Sequence, residues 1–278
     1  MKTQNPIHQE VQEYYGKVAR ESGSCCGSAT SPEKIQNTLY PVELLSELPT
    51  DVANFTAGSG DPISLAKLQP GETVLDLGSG GGLDCFLAAK QVGANGRVIG
   101  VDMTVEMLAR ARSSAERLQI RNVEFREGFL ESMPVDDSSV DVIISNCVIN
   151  LSPDKPQVFR EMFRVLKPGG RIAVSDMVLN RALSEADRKD KEKWCGCTSG
   201  ALQVQEYVDE LSKAGFTNIR VEPNVEAIVN AIDNGQVRAP ENLTKDQLKE
   251  MLLEDLRNWE NAKRTMAAPH KITARKPI

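Results

Sequence analysis

Short apolar runs alternate with longer stretches of helical periodicity from Gln69 onward. The runs are rich in Val, Ile and Leu and have the length of buried strands: Thr73–Leu77, Val98–Asp102, Val123–Glu127, Val140–Ser145 and Arg171–Ser175. Between the second and third runs, the stretch from Thr104 to Leu118 repeats its apolar residues at helical spacing. Strands separated by helices are typical of a parallel sheet covered on both faces. The pattern therefore predicts an α/β protein with a doubly wound, mostly parallel sheet.

Turn and capping signals divide the rest of the chain. The helical pattern from Val158 to Leu166 is followed by Lys167-Pro168-Gly169-Gly170, which predicts a helix stop and then a turn. Ile219–Glu222 and Lys271–Arg275 are further strand candidates. They are separated by a charged helical segment, from about Val225 to Met266, that contains a capping box at Thr244.

The flanking segments do not repeat the alternation, and this predicts three parts. Residues 1–68 contain a polar helix and two loops of small residues, Ser22–Thr30 and Phe55–Pro62, and we expect them to form an N-terminal lid. Residues 69–222 hold the sheet and form the core. Residues 223–278 form a C-terminal helical extension that ends in the last strand.

A glycine-rich turn directly follows the first strand, and its sequence is Asp76-Leu77-Gly78-Ser79-Gly80-Gly81-Gly82. Glycines at this place let the backbone approach a ligand at a helix N-terminus, where open parallel sheets bind nucleotides. A dinucleotide site would have a small residue instead of Leu83, and Asp76 would oppose a pyrophosphate. Asp76 suits a ligand with an ammonium and a sulfonium, and Asp102 is placed to accept both ribose hydroxyls. The simpler alternative is a generic glycine turn with a carboxylate that caps the helix.

Composition and charge narrow the class of protein. The 278 residues include 33 Lys+Arg and 39 Asp+Glu, and this net charge of −6 argues against a nucleic-acid partner. No stretch approaches the roughly 18 uninterrupted apolar residues of a membrane span, and residues 1–20 are too polar for a signal peptide. We therefore expect a cytoplasmic protein that binds neither nucleic acid nor membranes.

The six cysteines stand out beside only two histidines. A reducing compartment keeps thiols free, so a disulfide framework is not expected. Cys147 follows the fourth strand directly, at the edge where open α/β sheets bind ligands. Cys195 and Cys197 lie in a predicted loop of small residues, and Cys25 and Cys26 are adjacent in another loop.

Thiols without imidazoles favour a soft, thiophilic centre over a catalytic zinc ion. The Cys195-x-Cys197 spacing has no second matching pair, which leaves structural zinc a weak alternative. Each cysteine also has a plain alternative as a buried core residue. We interpret Cys85, on the helix after the glycine turn, as scaffold.

The glycine turn, together with Asp76 and Asp102, resembles that of the class I methyltransferases that use S-adenosylmethionine. The resemblance implies a Rossmann-like fold of the class I methyltransferase type. It places the loop Gly128–Glu131 against the adenine and Asn146 at the methyl-transfer pocket. The cofactor-binding residues expected in total are Tyr15, Asp76, Gly78, Ser79, Gly80, Gly82, Asp102, Met103, Leu130, Glu131 and Asn146.

Further motifs are similar to those of the arsenite methyltransferase family. They are Tyr14-Tyr15-Gly16, Cys25-Cys26, Leu75–Cys85, Val101–Thr104, Ser145–Lys155 (SNCVINLSPDK) and Trp194–Leu202 (WCGCTSGAL). The resemblance implies that Cys147 and Cys197 bind trivalent arsenic. A further cysteine is common in a Gly-Cys-Gly context, where this chain has Ser59. Cys195, Cys25 and Cys26 are the candidates to compensate for it.

The resemblance also implies a reaction. The arsenic lone pair attacks the sulfonium methyl, and a thiol pair then returns the oxidised arsenic to the trivalent state. Cys25 and Cys26 are expected in that recycling, with a reductant of the thioredoxin or glutathione type. The protein is expected to be a monomer that detoxifies arsenic. The alternatives are a methyltransferase for an organic acceptor such as a quinone or phenol, and a non-catalytic thiol protein that binds metalloids or senses redox state.

Overall fold

A mixed sheet of eight strands organises the part of the chain that the computed structural model describes, residues 5–21, 39–233, 237, 243–262 and 266–278. The strands are β1 (Thr73–Leu77), β2 (Arg97–Asp102), β3 (Val123–Glu127), β4 (Val140–Asn146), β5 (Leu166–Leu179), β6 (Leu202–Gln203), β7 (Thr217–Pro223) and β8 (Ala267–Arg275). The helices are α1 (Pro6–Arg20), α2 (Val42–Leu45), α3 (Thr50–Ala53), α4 (Pro62–Ala66), α5 (Leu83–Val92), α6 (Val105–Arg117), α7 (Lys155–Val165), α8 (Glu185–Arg188), α9 (Lys191–Cys195), α10 (Val204–Ala214), α11 (Val225–Asp233) and α12 (Lys245–Arg257). Ile149–Leu151 and Trp259–Asn261 form 3₁₀ turns.

The strand order is β3-β2-β1-β4-β5-β8-β7, and β6 pairs with β5. Strands β1 to β5 are parallel, whereas β8 lies antiparallel between β5 and β7. This architecture confirms the predicted α/β fold with a mostly parallel sheet. The strand order switches direction at β1 and β4, and a crevice at the carboxyl ends of the strands is expected at such a point.

The bounds of β1 and β3 match the predicted strands, but the turn predicted at Lys167–Gly170 is wrong. These residues belong to β5, which begins at Leu166 beside Val140. The register between β4 and β5 shifts between Val140 and Val142, and a bulge of this kind accommodates proline and glycine within a strand. Helix α7 begins before the predicted Val158 because the Asp154 side chain caps its N-terminus.

Both faces of the sheet are covered by apolar layers. Successive residues of β4 alternate between them: Val142 and Ile144 pack in one layer, and Ile143 packs in the other. Phe86 of α5 lies in the first layer and Phe159 of α7 in the second. Because both faces of the sheet are covered, a ligand can reach it only at the ends of the strands.

Helices α11 and α12 pack together in a third apolar cluster beside β8. The predicted capping box is present, with Thr244 and Gln247 bonding each other's backbone N–H groups at the start of α12. Among the described residues, no helix has both the length and the apolar character needed to cross a membrane.

His270 of β8 is fully buried, and its ring lies 4.8 Å from that of Trp259. Its Nδ1 is 2.9 Å from the Ala268 carbonyl oxygen, and burial lowers the pKa of His270 to about 4. In the unfolded chain the pKa is about 6.5, so the unfolded state takes up the proton first as the pH falls. This histidine therefore contributes stability that is complete above pH ~6.5 and is lost toward pH ~4.

We expect His270→Phe to remove this pH dependence. Between pH 7.5 and pH 5, the free energy of unfolding of the wild type should fall by about 2 kcal/mol more than that of the variant. Denaturant unfolding at several pH values measures the difference, in which contributions of the carboxylates cancel. His8→Gln removes the other histidine and keeps His270, so its free energy of unfolding should fall between pH 7.5 and pH 5 as much as that of the wild type. Parallel curves for wild type and His270→Phe would contradict this assignment.

Candidate active site

A cavity of about 1050 Å³, including its open mouth, lies at the carboxyl ends of β1, β2 and β4. The glycine turn after β1 forms one wall, and α1 forms the opposite one through His8, Val11, Tyr15 and Val18. The cavity thus occupies the switch point of the sheet, where open α/β folds bind ligands.

Asp102 is held in place by the glycine turn. Its Oδ2 accepts a hydrogen bond of 2.9 Å from the Gly80 N–H, and its Oδ1 accepts one of 2.8 Å from the Thr104 N–H. Gly80 has a φ of +49°, a conformation that side chains disfavour. Burial raises the pKa of Asp102, and these backbone bonds oppose the shift. Each oxygen keeps a lone pair for a hydroxyl of a ligand.

Asp76 lies behind the glycine turn, not on the wall of the cavity. The described residues that line the cavity include Gly78, Ser79 and Gly80, but neither Asp76 nor Gly82. The Asp76 carboxylate is buried behind the turn, where the Cys85 thiol donates to its Oδ2 over 3.2 Å. Its pKa is raised by burial and by repulsion from Asp84. Cys85 is buried as expected of a scaffold residue.

Asp84 lines the cavity, and the sequence interpretation missed it. The Tyr40 hydroxyl donates to its Oδ1 over 2.6 Å, and the Asn146 amide lies 3.4 Å from its Oδ2. Burial raises the pKa of Asp84 to about 7. An acidic residue in the first turn of a helix usually complements the helix dipole, so its position alone does not indicate a ligand.

Asn146, at the end of β4, fastens a loop over the cavity. Its Oδ1 accepts from the Ser59 N–H at 2.8 Å, and its Nδ2 donates to the Gly60 carbonyl and to Tyr40, each at 2.8 Å. The Ser59 hydroxyl lies 3.2 Å from that of Ser175. Asn146 therefore lines the cavity and also fixes the loop in which the family motif has a cysteine.

The cavity is acidic. Asp84, Asp102 and Glu131 line it, whereas the described lining residues include no Lys or Arg. Burial raises the pKa of Glu131, but hydrogen bonds from His8 and Ser152 outweigh it and leave a lowered value. Such a site attracts a cation and disfavours phosphate groups, which argues against a dinucleotide.

Helix α1 connects the cavity to the cysteines. His8 Nε2 lies 3.0 Å from Glu131 Oε1, and the Gln12 amide donates to the Met103 carbonyl over 2.7 Å. The Tyr15 hydroxyl, on the cavity side, donates to the Cys195 carbonyl over 3.0 Å. Met103 and Leu130 complete this side of the wall. Contacts from one helix thus reach both the cavity and the segment that carries two thiols.

Cys147 and Cys197 lie side by side. Cys147 lines the cavity, and the Cys197 thiol donates to the Cys147 carbonyl over 2.7 Å. A hydrogen bond with the Cys147 side chain, and then burial, raise the pKa of the Cys197 thiol well above its usual range. Both residues have left-handed backbones, with φ of +62° and +59°. This conformation is costly for a residue with a side chain and is enriched at functional sites.

The other thiols differ. Cys195 packs in the same buried cluster as Cys147 and Cys197, but it ends helix α9, so its predicted loop position is wrong. Within the described ranges, no group of three His, Cys, Asp or Glu side chains is arranged to hold a metal ion. Cys25 and Cys26 lie outside the described residues.

A methyltransferase domain family matches residues 68–215. This match, the strand order and the position of the cavity define a class I methyltransferase fold. The curated arsenite methyltransferase of Halobacterium salinarum is 43% identical over 205 residues, which are 74% of this chain and 52% of that protein. That of Aquipseudomonas alcaligenes is 41% identical over 77% of this chain and 63% of that protein.

The crystal structure of CrArsM, an arsenic(III) S-adenosylmethionine methyltransferase from Chlamydomonas reinhardtii, superposes with a TM-score of 0.63. It is 33% identical, and the match covers 85% of this chain and 72% of that one. The chain belongs to the arsenite methyltransferase family. It spans 52% and 63% of the two curated relatives, and these comparisons do not favour the organic-acceptor and non-catalytic alternatives.

The left-handed backbone of Cys147 has a measurable consequence. We expect Cys147→Gly to be more stable than Cys147→Ala by about 1 kcal/mol, because alanine retains the Cβ that disfavours this conformation. Cys85 is the matched control: it lies in helix α5, where glycine should be the less stable replacement by about 1 kcal/mol. Denaturant unfolding of the four variants measures which replacement, glycine or alanine, is the more stable at each position. If the same replacement were the more stable at both positions, the interpretation would be contradicted.

Proposed function

We propose that this protein transfers a methyl group from S-adenosylmethionine to trivalent arsenic bound by Cys147 and Cys197. The observation that carries the proposal is the pair of adjacent buried thiols, both in left-handed backbone, of which one lines an acidic cavity. The family relationship supports the same chemistry.

The cavity residues fit the cofactor. S-adenosylmethionine, when bound, supplies an electrophilic methyl group on a sulfonium. Asp102 would accept the ribose hydroxyls, and Gly78, Ser79 and Gly80 would approach the ligand through their backbone. Asp84 is placed to face the cationic end, with Asp76 and Gly82 supporting the turn from behind. The wall formed by Tyr15, Met103, Leu130, Glu131 and Asn146 would enclose the remainder.

Neutral thiols suit an arsenite substrate. Arsenite enters as a neutral hydroxide, and each thiol that binds it forms an As–S bond while its proton leaves with one hydroxide as water. A raised pKa at Cys197 keeps the required proton on sulfur. The lone pair on arsenic then remains available as the nucleophile, so the transfer itself needs no general base.

Further residues complete the proposal. Cys195 packs in the same cluster and would be the additional arsenic ligand, since Ser59 is a poor ligand for a soft centre. The three cysteines, which all lie in the described ranges, are not arranged as a ligand group, so Cys195 would have to move toward the other two when arsenic binds. Cys25 or Cys26, together with a second cysteine of the chain, supplies the two electrons that return pentavalent arsenic to the trivalent state: the two thiols close to one disulfide and release two protons. A reductant of the thioredoxin or glutathione type restores them. We place this activity in the cytoplasm of a monomeric protein, as arsenic detoxification, with residues 1–68 as the lid.

Separation of arsenic species after incubation with S-adenosylmethionine, a thiol reductant and arsenite tests the function. Cys147→Ser and Cys197→Ser should each abolish methylation, because one thiol holds the substrate too weakly, while the Kd for S-adenosylmethionine changes less than about threefold. Cys85→Ser, which keeps a donor for Asp76, is the control and should retain most activity. Full activity of both thiol variants would refute the ligand assignment.

Asp84 makes cofactor binding depend on pH. Its pKa of about 7 results from burial and from repulsion by Asp61, opposed by hydrogen bonds from Tyr40 and Asn146. A cationic ligand favours the ionised carboxylate, so binding should release a proton and weaken as the pH falls through 7. From pH 8 to pH 6 we expect the Kd for S-adenosylmethionine to rise up to about tenfold.

Calorimetric titration in buffers of different ionisation enthalpy measures both the Kd and the released proton. Asp84→Asn should bind more weakly at pH 8 and lose this pH dependence. Glu226→Ala, which removes an exposed carboxylate paired with Lys271, should behave as the wild type. An unchanged pH dependence in Asp84→Asn would assign the proton to another group.

A further inference from the structure

The buried side chain of Asn150 connects three segments around the thiol pair. It lies in the 3₁₀ turn that follows Cys147 and is fully inaccessible to solvent. Its Nδ2 is 2.8 Å from Asp176 Oδ1, 2.7 Å from the Met177 carbonyl oxygen and 3.3 Å from the Cys197 carbonyl oxygen. The amide therefore links the end of β5 to the backbone of Cys197.

The backbone of Asn150 also packs against Gly200, three residues after Cys197. A Cβ atom added at Gly200 would lie 2.1 Å from the Asn150 carbonyl oxygen, so only glycine permits this approach. The Cys197 thiol in turn donates to the Cys147 carbonyl. The segment that carries Cys197 therefore contacts the segment that carries Cys147 and Asn150 at two places: Gly200 packs against Asn150, and Cys197 bonds Cys147.

The anchor of the amide is rigid. The Asp176 carboxylate is fully buried in β5 and also accepts from the Met177 N–H at 2.9 Å and from the Tyr207 hydroxyl at 3.2 Å. These additional bonds fix the direction in which the carboxylate faces Asn150.

The left-handed backbone of Cys197 needs such support. A strained conformation persists only where neighbouring contacts impose it, and a hydrogen bond to the Cys197 carbonyl constrains the peptide group of that residue. Loss of the amide would remove this constraint and leave the hydrogen bond from the thiol to the Cys147 carbonyl as the remaining contact between the two cysteines described above.

We propose that Asn150 is a positioning residue that holds Cys197 beside Cys147, so that both thiols bind one trivalent arsenic atom. The inference rests on the proposed function for the identity of the ligand. It adds the group that sets the spacing of the two sulfurs, and this role can be measured without methyl transfer.

Two arsenicals distinguish thiol spacing from thiol reactivity. Phenylarsine oxide offers two exchangeable positions and binds tightly only where two thiols are close together. Dimethylarsinous acid offers one and needs a single thiol. Both are titrated against the full chain carrying Cys25→Ser, Cys26→Ser and Cys195→Ser, which removes competing thiols.

Asn150→Leu preserves the bulk of the side chain and removes its donor. In this variant we expect phenylarsine oxide to bind about tenfold or more weakly, whereas the Kd values for dimethylarsinous acid and S-adenosylmethionine change less than about threefold. Asn122→Leu is the matched control. Its amide donates to the Ala89 and Gly93 carbonyls at 3.0 Å each, on β3's side of the sheet, so its loss should leave both arsenicals bound as before.

The outcomes separate the two proposals. Wild-type affinity for phenylarsine oxide in Asn150→Leu would overturn the positioning role, and so would an equal weakening of all three ligands, which indicates general loss of structure. If Cys197→Ser leaves the affinity for phenylarsine oxide unchanged, the thiol pair of the proposed function fails, whatever the result for Asn150.

Discussion

The hydrogen bond from the Cys147 N–H to the Ser175 carbonyl, 2.8 Å long, is the constraint on which the site depends. It extends the pairing of β4 and β5 by one residue beyond Asn146 and Ser175, the last residues in register. The chain then turns through a left-handed residue instead of continuing as a strand. This turn brings a thiol to the cavity wall, while the side chain of Ser175 bonds the loop that carries Ser59.

Charge around the cavity follows from the same architecture. The carboxyl ends of β1 and β2 carry Asp76 and Asp102, and the next helix adds Asp84, so three carboxyl groups share a poorly solvated region. Their pKa values are all raised by burial, which means that the empty protein carries an electrostatic cost. A cationic ligand relieves this cost. In the proposed function this relief would favour a sulfonium or an ammonium ligand over a phosphate.

Short apolar runs bounded by turn signals were predictable from sequence: β1, which is buried on both faces, and the edge strand β3, of which only Phe125 is buried, both have the predicted bounds. Local sequence signals gave a wrong prediction where strand pairing determines the structure. Lys167–Gly170 has the composition of a turn, but these residues belong to β5, next to a bulge in its pairing with β4. Cys147 could be located because it directly follows a strand. Asn150 could not, because its function depends on Asp176 and Cys197, which are distant in sequence and reach it only through the fold. Asp84 was hidden by its ordinary position in the first turn of a helix.

The antiparallel insertion of β8 has a consequence for how the protein is made. Strand β5 carries Ser175 and Asp176 beneath the thiols, and its outer edge is paired with Lys271 and His270 of β8. During synthesis, that edge remains open until residues 267–275 have left the ribosome, although every cysteine has emerged earlier. An open strand edge invites pairing with other chains. The sheet edge next to the thiol site is therefore closed late in vectorial folding, after all of the cysteines have been synthesised.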